Sequence, residues 1–89
     1  MKSAYELAME RLGGEPRKFT PEQKEKLAEI DRKTDAKIAE IRMHTDTKLA
    51  ALNGPEADQL RRDMAVEIEG LNSHREREKE RLKKEFEAE

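Results

Sequence analysis

Cysteine and tryptophan are absent from the 89 residues, which include one tyrosine and two phenylalanines. Without cysteine there is neither a disulfide scaffold nor a thiolate metal site. Apolar residues make up only 34% of the chain, against roughly 45–50% in ordinary globular proteins, so a thick multilayer core is not expected. No apolar run reaches the roughly 18 residues of a membrane span, and the N-terminus lacks the apolar stretch of a signal peptide. Neither sign of charge dominates: 19 Lys and Arg oppose 21 Asp and Glu, a net charge of −2. Nucleic-acid binding by bulk charge is therefore not expected. Strand-forming segments are nearly missing.

What remains is helix-forming. Ala, Glu, Lys, Arg and Leu dominate, all residues that lose little on entering a helix. Helix-breaking residues gather at Gly13-Gly14-Glu15-Pro16 and at Asn53-Gly54-Pro55. They divide one all-α domain, residues 1–89, into a short helix over 3–12, a linker over 13–19, a long helix over 20–53, a turn at 54–56 and a second long helix over 55–87. Ser3 and Glu6 read as a capping box, and Tyr5, Ala8, Met9 and Leu12 fall on one stripe. Thr20-Pro21-Glu22-Gln23 is a stronger start signal: a hydroxyl cap, a proline where no N–H is needed, and a Gln to close the capping box.

Three blocks of eleven residues start at Lys26, Lys37 and Lys48: KLAEIDRKTDA, KIAEIRMHTDT and KLAALNGPEAD. Eleven residues in three turns keep an apolar stripe nearly straight along a helix. On the first long helix the stripe runs Leu27, Ile30, Thr34, Ile38, Ile41, Thr45, Leu49, Leu52. On the second it runs Ala57, Leu60, Met64, Ile68, Leu71, Arg75, Lys79, Leu82, Phe86. Folding the chain at Asn53-Gly54 pairs the two stripes in nine layers, Gln23 meeting Phe86 in the last, each pair of residue numbers totalling 109. One register that satisfies nine layers predicts an antiparallel helical hairpin, with the short N-terminal helix and Phe19 covering its open end. Two layers are half polar, Thr34 with Arg75 and Ile30 with Lys79; long stems there can lie along the seam with their charges in water.

A lone hairpin of this size buries little, which points to self-association as a dimer or to a protein partner. The candidate partner surface is the line Ala28, Ala39 and Ala50, one step beside the seam and read as widening it, together with Met43 and Val66. The last two are apolar but far round from the seam, at one level of the hairpin. Single exposed apolar residues are also normal on any surface, so both readings stand.

Catalytic residues are not expected. Ser3 and Ser73 lack a glycine-rich elbow, and Gly13-Gly14 is no phosphate loop. His74 and Glu78 form a helical i,i+4 pair, and one His with one Glu does not fill a zinc site. His44 is expected to bond weakly to Asp63. No metal and no cofactor is implied. The alternating charges of HREREKERLKKEFE, residues 74–87, suit a solvated helix face.

The opening KSAYELAMERL, followed by FTPEQKEKLAEIDRKTDAKIAEI, resembles a group of small bacterial proteins of unknown function that share a "SAYELALERL" helix, an "LT-x-EQK" cap and a charged helical hairpin. The resemblance implies a bacterial, cytoplasmic protein and brings no activity with it. A non-enzymatic interaction protein is the first expectation. The alternative is a transcription or translation regulator that inserts an acidic-tipped hairpin into RNA polymerase or the ribosome, with Glu56 and Asp58 as tip contacts. Acidic residues in a first helical turn are expected anyway.

Overall fold

The computed structural model describes residue 4 and residues 19–89, so the expected 3–12 helix and most of the 13–19 linker lie outside the described residues. Two helices, α1 (Pro21–Leu49) and α2 (Gly54–Ala88), form an antiparallel hairpin, with no strand among the described residues. At 1.5 Å per residue α1 is about 44 Å long and α2 about 52 Å.

The start of α1 is the one the sequence predicts. Thr20 is the N-cap; its hydroxyl accepts from the Gln23 N–H at 3.1 Å, and the Thr20 N–H donates to Gln23 Oε1 at 2.9 Å. Thr20→Ala removes one half of this reciprocal pair and is expected to cost about 1 kcal/mol in a denaturant melt. A loss below the error of the melt would mean that the cap does not hold this end in solution.

The end of α1 differs from expectation. The helix stops at Leu49 rather than near Asn53, and the chain turns over residues 50–53 rather than 54–56. Ala51 and Leu52 donate to the carbonyls three residues back, at 3.1 and 3.2 Å. These tighter bonds close the last turn and bring the chain round before the Asn-Gly-Pro sequence is reached. Gly54, with φ +60°, begins α2 in a left-handed conformation that favours glycine.

Exposure follows the two stripes. Every stripe residue from Leu27 to Leu52, and from Ala57 to Phe86, is buried or half-buried. Phe86 is 7% exposed at the open end, where its ring meets Phe19 edge-on at 5.8 Å and Lys26 Nζ lies 5.9 Å from its centroid. Gln23, placed opposite Phe86 by the sequence register, donates to Glu89 at 3.3 Å.

Interhelical ion pairs fix the pairing. Lys79 Nζ donates to Asp31 at 3.0 Å, and Arg75 donates to Asp35 at 2.9 Å. Asp31 and Asp35 directly follow Ile30 and Thr34, the residues that the 109 register sets opposite Lys79 and Arg75. The half-polar layers are thus closed by flanking carboxylates rather than left to water: the Arg75 and Lys79 side chains are only 21% and 22% exposed. Asn72 takes a further hydrogen bond from Arg75 at 2.6 Å.

Candidate interaction surface

The seam has two long sides. One carries the Asp31, Asp35, Arg75 and Lys79 pairs. The other is open: a groove of about 360 Å³ runs beside the seam, with Ile30, Thr34, Leu71 and Leu82 among its walls and Lys33, Lys37, Glu78 and Glu85 on its rims. The groove exists because Ile30, Leu71 and Leu82 are only half-buried between the helices.

The rims differ in sign. On the α1 side stand Lys26, Lys37 and Lys48, which open the three repeats and so recur every eleven residues along one line, with Lys33 beside them. On the α2 side stand Glu78 and Glu85, with Glu67 eleven residues before Glu78 and Asp63 two repeats before Glu85. No salt bridge joins the two rims among the described residues; Glu78 instead pairs with His74 on its own helix at 3.2 Å. Glu29 and Arg81 also border the groove with the signs reversed. Glu29 takes a hydrogen bond from Arg32 Nε at 3.1 Å. That bond, and then the Arg32 charge, hold its carboxyl below its ordinary value.

The candidate residues read from the sequence fall in different places. The hairpin core residues Leu27, Ile30, Ile38, Ile41, Leu49 and Leu52 line one side of the seam, and Leu60, Met64, Ile68, Leu71, Leu82 and Phe86 the other. The alanine line does not widen that seam. Ala39 and Ala50 are exposed and Ala28 half-buried, because one residue along a helix is about 100° round it. Met43 and Val66, 70% and 69% exposed, do not share a surface either. Each lies two residues from its seam neighbours, about 200° round its own helix, so they project from opposite edges of the hairpin.

At the tip, Glu56 and Asp58 are exposed, and Asp58 accepts from Arg61 at 3.2 Å. His44 does not bond to Asp63, which accepts from Gln59 at 2.8 Å. No group of three His, Cys, Asp or Glu residues is placed to hold a metal among the described residues. No described helix is long and apolar enough to cross a membrane.

The sequence reading missed both the Asp31 and Asp35 partners and the two charged rims. The signal for the rims was in plain sight, since each eleven-residue block opens on lysine. Fold and surface together define a small all-α hairpin with a half-apolar groove between ridges of opposite charge. No protein-family model, curated protein or solved structure matches the chain.

Proposed function

We propose that this is a small, non-enzymatic interaction protein that works by binding protein along its helical faces, in the first instance another copy of itself. The observation that carries the reading is the incomplete burial of the seam. Ala57 and Phe86 are the buried apolar residues among those described, at 4% and 7%, while the Leu, Ile and Met side chains between the helices stay half-exposed. Apolar surface left in contact with water favours association, at about 25 cal/mol for each Å² later covered.

A cytoplasmic setting and kinship with the small bacterial hairpin proteins belong to the same proposal, and rest on the opening motif and the Thr20 cap. Insertion of the tip into a large machine is the second reading, supported by the exposed Glu56 at the end of a helix about 52 Å long. The Arg61 pair on Asp58 weakens it by neutralising half of the acidic tip.

Sedimentation equilibrium of the purified chain across micromolar concentrations tests the first reading. The expected result is a mass rising above 10.4 kDa, with a melting temperature that rises with protein concentration. A fixed monomer mass and a concentration-independent melt would remove self-association.

A further inference from the structure

We infer that the partner seated on the open groove is a second copy of this chain, related by a two-fold axis along the hairpin, so that the two tips lie side by side. The inference rests on the self-association just proposed and specifies its face and direction.

The charges on the rims carry it. In a two-fold dimer closed along the hairpin axis, α1 of one copy lies antiparallel over α2 of the other in the seam's 109 register, and because helical side chains lean toward their own N-termini the rim residues that converge are those about two residues beyond it. The basic rim then faces an acidic rim twice. Lys26 meets the other copy's Glu85, Lys33 its Glu78 and Lys48 its Asp63, each pair of numbers totalling 111. Glu29 and Arg81, which reverse the signs, total 110 and stand one residue off that register, and Glu29 is already paired with Arg32 of its own chain. Lys37 meets His74, a level without an attraction, and Glu67 meets His44 rather than a lysine. The head-to-tail alternative lays α1 on α1 and α2 on α2. It sets lysine rim against lysine rim and carboxylate rim against carboxylate rim.

A second observation separates this face from the rest of the hairpin. On the opposite side the interhelical charges are already paired within one chain, through Asp31, Asp35, Arg75 and Lys79. On the groove side no bridge joins the rims among the described residues, although basic and acidic groups stand at matching levels. The half-buried Ile30, Leu71 and Leu82 between them are what a facing copy would cover. Exposed ion pairs contribute little affinity by themselves. The apolar groove supplies attraction, and the rims choose orientation and partner.

Charge reversal on the full chain tests this. A variant with Lys26→Glu and Lys33→Glu, and another with Glu78→Lys and Glu85→Lys, should each weaken dimerisation by roughly 100-fold, since like charges then face each other at four places. An equimolar mixture of the two should recover a heterodimer close to wild-type strength. Circular dichroism of each variant alone checks that the helices persist. Spin labels on Asn53→Cys, at the exposed turn, should then report tips within about 25 Å in the wild-type dimer, against about 50 Å for a head-to-tail pair, from the helix length. A wild-type chain that stays monomeric ends the self-association reading and this inference with it. A wild-type dimer indifferent to both reversals, a mixture that fails to recover, or tips about 50 Å apart overturns this inference alone.

Discussion

Phe86→Ala is expected to destabilise the hairpin by about 3–4 kcal/mol, within the range for removing a buried aromatic ring. Phe86 is the most buried large side chain among the described residues at 7% exposure, and two contacts converge on it. Phe19 packs edge-on at 5.8 Å, Lys26 approaches the ring face, and Leu82 precedes it by one helical turn on the stripe. Removing the ring leaves a cavity at the open end, where no turn holds the helices together. Fraying should therefore start there. Hydrogen exchange should show faster amides at the Thr20 end of α1 and the Ala88 end of α2, with those near Asn53 changed least. A loss under about 1 kcal/mol in a urea melt would show that the open end is held by something other than this ring.

Ile41→Ala and Ile68→Ala should each cost about 2–3 kcal/mol, the low end of the range for buried Ile to Ala, because both side chains are half-buried rather than enclosed. Thr34→Ala should cost less than about 1 kcal/mol, although Thr34 is 7% exposed, because it removes only a methyl and a hydroxyl beside the Arg75 stem. The three variants rank seam layers by what fills them. The double variant Ile41→Ala with Ile68→Ala tests the register itself. Residues in contact couple, so the pair should cost measurably less than the two single losses added together. Additive losses would place Ile41 and Ile68 in different layers.

Much of the fold is legible from residues that act locally. The Thr20 capping box needs only four neighbours in sequence, and it forms as expected. The seam stripe is legible because eleven residues complete three turns, so each apolar position returns to the same side. The end of α1 was harder. Asn-Gly-Pro marks a place the helix cannot pass, not the place where it stops, and tighter bonds ended it four residues earlier than Asn53. Surface features failed where they depended on angle rather than level. Met43 and Val66 share a level but lie on opposite edges, and the alanine line stands off the seam for the same reason. Asp31 and Asp35 went unread as partners because a flanking carboxylate becomes a neighbour of Arg75 or Lys79 only once the register is known. The opposed rims needed the same knowledge, together with which side of the seam each line occupies.

The ion pair between Asp31 and Lys79 has a further consequence. A seam built from near-identical blocks is a ruler with repeating marks: sliding one arm by a whole block returns Leu and Ile to Leu and Ile over much of its length. Apolar packing alone would penalise that misalignment weakly. The second block carries Arg42 at the place where the first carries Asp31. A slide that lengthens the turn by one block therefore sets Lys79 against Arg42, exchanging an attraction for a repulsion at one point along the seam. Arg75 would find Thr45 and Asp46 where Thr34 and Asp35 stood, so the penalty for that slide falls on Lys79. The polar layers, which look like defects in an apolar seam, thus give the ruler its zero. They let the chain find one alignment among several that its own repetition would otherwise make nearly equal in energy.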